Sequence, residues 1–369
     1  MTIKAFMLGH VRALSRHCKV SIAVNSATHD LKNIDDLHVN LFHIPLEREI
    51  SPFKDLRALL ALFLLFRAEK FDVIHSISPK AGLLSMIAGF MARVPHRIHI
   101  FTGQVWVTRK GIGRSLLKML DRLTAMLATN VLVDSPSQRE FLLSEKIVTE
   151  EKSESLAQGS VGGVDSRLFS LNLGLRKKIR SEIGATEKSI VFLFLGRLNR
   201  DKGVLDLAHA FSTVASDYSE AHLMIVGPDE GGMGSEIERI CSTVVQRLHF
   251  VSYTDKPEIY ISASDVFCLP SYREGFGNVI IEAASVGIPA IGSDIYGIRD
   301  AISSGETGLL HKPGDIQDIS EKMTLLLKNP NVKKEMGKAA QKRAVNCFSN
   351  DALEQSMVDF YREVFGEVL

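Results

Sequence analysis

The stretch Ser271–Gly287 reads S-Y-R-E-G-F-G-N-V-I-I-E-A-A-S-V-G, and it follows closely on the apolar run Val266-Phe267-Cys268-Leu269. A short unbroken apolar run predicts a buried strand, and the residues after Gly277 read as a helix. The result is strand, glycine loop, helix. Gly275 and Gly277 leave the backbone uncovered, so the N–H groups of Gly275, Phe276, Gly277 and Asn278 can approach an anion, helped by the positive end of the helix. Glu274 precedes that helix and Glu282 lies about a turn inside it, so the two carboxylates can face different parts of one bound molecule. Acidic groups beside a phosphate site suit ribose and sugar hydroxyls, and the combination points to a nucleotide bearing a sugar. Any parallel sheet supplies such loops, so the reading needs a partner motif.

That partner lies upstream. Ile190–Leu195 is a continuous apolar run, hence a central strand, and it ends in G-R-L-N-R-D-K-G, Gly196 to Gly203. Arg197 and Lys202 then stand at the carboxyl end of a strand, positioned to neutralise a diphosphate. The next strand, Leu223–Val226, ends in Gly227-Pro228-Asp229, and Arg247, His249 and Tyr253 mark where a base can stack or hydrogen-bond. Ala290–Gly292 and Leu309–Leu310 add further strands, giving a second nucleotide-binding type of domain.

The front half alternates in the same way. Strands Val20–Val24, Val39–Ile44, Val73–Ser76, Arg97–Phe101 and Asn130–Asp134 alternate with helices Thr2–Arg16, Pro52–Glu69, Ala81–Ala92 and Arg114–Ala128. This pitch means a parallel sheet covered on both faces, with ligands bound beyond the carboxyl ends of its strands. The series opens on a helix where such a domain ordinarily opens on a strand, which implies a missing first strand. One strand-end loop carries Ser78 and Lys80, able to hold a phosphate. Another carries Thr102, Gly103 and Gln104, then Trp106 and the basic pair Arg109 and Lys110. His75 and His99 lie on strands, where histidines are commonly packed. Arg97, Arg109, Lys110, Arg114, Lys118 and Arg122, interleaved with leucines, describe an amphipathic basic face suited to anionic lipid. The glycines of residues 158–165 mark a crossing between domains, where a hinge can close two sheets on a ligand.

Composition sets the limits. At 369 residues, 45% hydrophobic and 24% charged, the chain is long enough for two soluble domains. The net charge of +1 hides an asymmetry: residues 1–169 hold 22 Lys+Arg against 16 Asp+Glu, the rest 22 against 27. A basic front half suits a phospholipid surface or a phosphorylated acceptor, and the excess is too small for nucleic acid. Four cysteines without CxxC pairing or metal spacing fit a reducing cytoplasm. No secretory signal is visible, and the most apolar window, Leu56–Phe66, is too short to span a bilayer.

With Arg197, Lys202, Glu274 and Glu282 in view, the chain resembles the retaining glycosyltransferases of the GT-B fold, family 4 (group 1). E-G-F-G-N-V-I-I-E-A is similar to that family's E-x7-E signature, G-R-L-N-R-D-K-G to its Arg/Lys motif, and G-S-V-G-G-V-D-S-R-L-F to the segment opening its C-terminal domain. The T-G-Q-V-W and S-P-K-A-G loops resemble members that build capsule or O-antigen on a polyprenyl-diphosphate carrier. The resemblance implies an α/β fold of two Rossmann-like domains facing a cleft: an acceptor domain over residues 1–168, a donor domain over 169–348, and a last helix crossing back over 349–369. It implies that Arg197 and Lys202, with Gly196 and Gly227 beside them, hold the diphosphate of a UDP-sugar. Glu274 would take the sugar and Glu282 the ribose. No metal or other cofactor is expected, because the cations and the helix start meet the leaving charge. Ser78, Lys80, His99, Thr102, Gly103, Gln104, Arg109 and Lys110 would serve a lipid-linked glycan acceptor, with the protein peripheral at the cytoplasmic membrane. Many relatives carry a histidine where this chain has Thr102-Gly103-Gln104, and His99 and Gln104 are the candidates to replace it. A GDP-mannose-dependent transferase, a UDP-sugar epimerase and a binding protein without turnover stand as alternatives.

Overall fold

A computed structural model describes residues 7–25, 39–47, 49 and 51–366; part of the expected first helix, residues 2–6, lies outside these. The chain divides into two compact units: residues 1–163 with 350–369, and residues 164–349.

The first unit runs α1 (Leu8–Leu14), β1 (Ser21–Val24), β2 (Asn40–His43), α2 (Pro52–Glu69), β3 (Val73–Ile77), α3 (Pro79–Met91), β4 (His96–Phe101), α4 (Gly111–Leu127), β5 (Asn130–Val133), α5 (Pro136–Ser144) and β6 (Ser153–Ser155). Strands β3, β4, β5 and β6 form a parallel sheet in that order, and β1 pairs in parallel with β2. Alternation along the strands builds a core on each face. Ile98, Ile100 and Leu132 join Ala13 and Leu14 of α1, whereas Phe101, Val131 and Val133 join Leu62 and Phe66 of α2. Neither β6 nor α5 is expected from the sequence, the first because it is three polar residues long and the second because of its polar composition.

The second unit runs α6 (Leu173–Glu182), β7 (Ile190–Leu195), α7 (Val204–Asp217), β8 (Ala221–Val226), α8 (Met233–Ile240), β9 (Leu248–Val251), α9 (Pro257–Ala263), β10 (Val266–Leu269), α10 (Asn278–Val286), β11 (Ala290–Ser293), α11 (Ile298–Ala301), β12 (Gly308–His311), α12 (Ile316–Lys328) and α13 (Pro330–Cys347). Its strands lie in the order β9-β8-β7-β10-β11-β12, every pair parallel. This is the doubly wound order. Helices cover both faces, so residues 191–194 of β7 are wholly buried, which is why that strand reads as unbroken apolar sequence. The last helix, α14 (Asn350–Phe365), belongs to the first unit, where Met357, Val358, Phe360 and Tyr361 pack into the core shared with α1.

At the amino ends of β7 and β10 the second unit is tied by one carboxylate. Asp265 accepts from Arg176 at 2.6 Å, from Arg180 at 2.8 Å and from the Val191 N–H at 2.8 Å. Burial works to raise its pKa, but the two guanidiniums, Lys333 and the backbone donor hold it below the ordinary value. Asp265→Ala strands the buried Arg180 and the half-buried Arg176 and is expected to cost about 3–5 kcal/mol in urea unfolding; a loss below about 1 kcal/mol would show that this tie carries little of the fold.

Candidate functional site

Strands β7 and β10 are neighbours, with Val266 opposite Phe192 and Phe267 opposite Leu193. From β7 the chain builds outward to β8 and β9, from β10 outward to β11 and β12, so the loops leaving these two carboxyl ends diverge. A crevice at such a reversal is where open α/β sheets take ligands. The two loops are residues 196–203 and 270–277, the stretches singled out above.

They are cross-linked. Lys202 is ion-paired with Glu274, whose Oε1 also accepts from Ser271 Oγ at 2.9 Å. The Tyr272 N–H donates to the Asp201 carbonyl at 2.8 Å, and Arg273 Nη2 donates to Asp201 Oδ2 at 3.1 Å. Gly203 takes φ 65°, and a Cβ there would press on the Pro270 carbonyl, so the loops meet backbone to backbone only because a glycine stands at this point. Arg197 Nη1 donates to Glu230 Oε2 at 2.8 Å, in the loop after β8. Gly227 packs on the Gly196 carbonyl in the same loop pair. The structure thus brings Gly196, Arg197, Lys202, Gly227 and Glu274 to one strand-end rim, each cation facing a carboxylate of a neighbouring loop.

Residues 275–278 run into the start of α10, where Gly277 is the N-cap at φ 85°. Phe276 is 1% exposed and meets Phe348 edge to face at 5.1 Å, so its side chain is core and only its backbone can serve a ligand. Glu282 lies in the second turn of α10, half-buried. Burial, and then the nearby Glu258 carboxylate, push its pKa up to about 7. Sequence reasoning missed Ser271, Asp201, Arg273 and Glu230; the charged turn Asp229-Glu230-Gly231-Gly232 after an apolar strand was the available signal for the last. The base-stacking expectation needs correction. Arg247 precedes β9 and donates to the Tyr218 carbonyl, and His249 pairs with His222, both at the amino end of the sheet. Of that group, Tyr253 alone lies past a carboxyl end, and it is 63% exposed.

The first unit departs further from expectation. His99 is 1% exposed, with its Nδ1 2.9 Å from Ser76 Oγ and its ring against Gly82. Burial drives its pKa down to about 3, so it is a packed neutral imidazole without an open face for an acceptor. Gln104 is equally buried: its Nε2 donates to the Thr102 carbonyl and its Oε1 accepts from Gln138. Lys80 is ion-paired with Asp55 at the start of α2, and Ser78 is the N-cap of α3. Thr102 and Gly103 remain half-buried at the end of β4. The basic face is also smaller than it reads. Arg97 donates to the carbonyls of Leu127 and Val94, Arg114 and Lys118 pair with Glu145, and Arg122 donates to the carbonyls of Glu145 and Lys146. Arg109 and Lys110 stay exposed. Among the described residues no group of three His, Cys, Asp or Glu is placed to hold a metal ion, and no helix is long and apolar enough to cross a membrane.

Comparison with known proteins gives this geometry a family. Residues 176–343 match the model for glycosyl transferases group 1, and residues 3–152 match the model for the glycosyl transferase 4-like domain. The chain is 29% identical over 363 residues to the capsular polysaccharide biosynthesis glycosyltransferase CapM of Staphylococcus aureus, covering 98% of this chain and 94% of that one. It is 29% identical over 338 residues to the UDP-Gal:alpha-D-GlcNAc-diphosphoundecaprenol alpha-1,3-galactosyltransferase of Escherichia coli, covering 89% and 84%. Among solved structures, Anabaena HepE in complex with UDP superimposes with a TM-score of 0.79 at 17% identity, covering 96% and 95%.

A carboxyl whose folded pKa lies above its unfolded value costs the native state stability as pH rises through that window, here from the ordinary carboxylate range to about 7. Glu282→Gln is therefore expected to raise the melting temperature by an amount that grows between pH 5 and pH 8; a difference independent of pH would place the cause elsewhere.

Proposed function

The chain belongs to the GT-B glycosyltransferases that join a glycosyl transferase 4-like domain to a group 1 domain, and on that premise we propose that it moves a hexose or N-acetylhexosamine from a UDP-sugar to a polyprenyl-diphosphate-linked glycan, with retention of configuration. The observation that carries the proposal is the rim of the β7–β10 crevice: two cations, two carboxylates and a glycine-capped helix start on loops tied to one another. A diphosphate takes Arg197, Lys202 and the N–H groups at residues 275–278. Glu274, released from Lys202, accepts the sugar's hydroxyls, and Glu282 accepts those of the ribose. The bond between the anomeric carbon and the phosphate oxygen breaks as the acceptor oxygen bonds to that carbon on the same face. The acceptor's proton passes to the departing phosphate oxygen. Arg197 and Lys202 meet the charge that develops there, in the role a metal ion plays in other transferases. UDP is favoured as the nucleotide by the UDP in the HepE complex and by the UDP-sugar in the name of the E. coli relative, whose acceptor is likewise a diphosphoundecaprenol-linked sugar.

A lipid-linked acceptor calls for access to a membrane surface. In the first unit α2 leaves Phe53, Leu56, Leu60 and Leu64 exposed on one stripe, and α4 leaves Ile112, Leu116 and Met119 exposed. Ile112 is 89% exposed and follows the open cations Arg109 and Lys110, which supports a docking edge that works chiefly by apolar insertion.

In calorimetry, Arg197→Ala or Lys202→Ala is expected to weaken UDP about tenfold or more, as loss of a charge-assisted contact does. Glu274→Ala is expected to lower turnover about 100-fold without weakening UDP. Full UDP affinity in both cation variants would remove the donor assignment. For the docking edge, Ile112→Asp combined with Leu116→Asp is expected to abolish sedimentation with anionic vesicles, while salt reduces it only in part; a double variant that sediments normally would contradict this edge.

A further inference from the structure

Arg197 is paired with a carboxylate of its own chain. Its Nη1 lies 2.8 Å from Glu230 Oε2, and both side chains keep about a third of their surface open, at 39% and 35%. Glu230 is delivered by a braced turn. The Asp229 carboxylate accepts from the N–H groups of Gly231 at 3.2 Å, Met233 at 2.8 Å and Gly234 at 2.9 Å, while the Leu198 N–H donates to the Pro228 carbonyl at 2.9 Å. The turn is therefore anchored to α8 on one side and to the loop bearing Arg197 on the other. The two cations differ in their partners. Glu274, the partner of Lys202, has sugar hydroxyls to receive once it is displaced, whereas Glu230 is given no contact with the donor in the reading above. It is a carboxylate standing where the diphosphate must come.

We propose that Glu230 competes with the nucleotide diphosphate for Arg197 and so sets how tightly donor and spent nucleotide are held. The inference rests on the donor reading of the β7–β10 crevice. A partly exposed ion pair is weak enough for a diphosphate to displace, and the energy of the broken pair is subtracted from what the diphosphate gains at Arg197. That penalty applies equally to the nucleotide-sugar and to the nucleoside diphosphate product, so it raises KM and speeds product release without touching the bond-breaking step.

Glu230→Gln keeps the side chain's size and removes its charge. It is expected to tighten UDP about two- to fivefold in calorimetry, the range a partly exposed ion pair supplies. Glu230→Asp, which keeps the charge, is expected to bind UDP much as the parent protein does. In an Arg197→Ala background the change to Gln is expected to have no effect on UDP. Unchanged or weaker UDP binding in folded Glu230→Gln overturns the inference. So does a tightening that persists when Arg197 is absent, because a long-range charge effect would not need that side chain. A parent protein that binds no UDP overturns the donor reading itself and the inference with it.

Discussion

The ion pair between Lys202 and Glu274 is the contact from which the rest of the second unit can be understood. It joins the loop after β7 to the loop after β10, the two strands between which the sheet reverses its direction of growth. Charges partly withdrawn from water need partners. The rim meets that requirement internally, with Lys202 on Glu274 and Arg197 on Glu230. On the donor reading proposed above, a nucleotide-sugar offers the same complement in another arrangement: phosphates for the cations, hydroxyls for Glu274. Binding would then be an exchange of partners, with the backbone contacts among Asp201, Gly203, Pro270 and Tyr272 joining the two loops independently of the ion pair.

Rigidity at the rim depends on what lies beneath it. The continuous burial of β7, β8 and β10 fixes the strand ends, and Asp265 with its two arginines ties the opposite end of the same strands. Glu282 shows the opposite arrangement: a half-buried carboxyl without a paired cation among the described residues, its pKa pushed up by burial and by the nearby Glu258 carboxylate. The first unit spends its charges differently. Glu145 and a set of helix-end carbonyls partner Arg114, Lys118 and Arg122, and Asp55 partners Lys80, so fewer cations of this face are without a partner in the chain than the sequence count suggests.

Much of this was legible in the sequence, and the boundary has a physical meaning. β7 and β10 announced themselves because strands buried on both faces must be apolar throughout, and the glycine loops because glycine permits the close approach at residue 203 and the positive φ at residue 277. The spacing of Glu274 and Glu282 survived because it is local to one loop and one helix. The ion pairs did not, since they join residues far apart in the chain: Arg197 to Glu230, Lys118 to Glu145, Lys80 to Asp55. Counting cations along residues 97–122 therefore overstated the free charge. His99 and Gln104 misled for a related reason: strand-end position was visible, but burial beneath Gly82 and against Gln138 was not. His249 was misplaced because it stands second in β9, and in a parallel sheet the opening residues of every strand lie at the end away from the site.

The central claim is that the reversal between β7 and β10 is the nucleotide site, and hydrogen exchange read by peptide with and without UDP tests it most directly. The account predicts that UDP slows exchange at residues 196–203 and 275–282 together, with little change in β12 or α13. Protection confined to other segments, or none at either loop under saturating UDP, would contradict it.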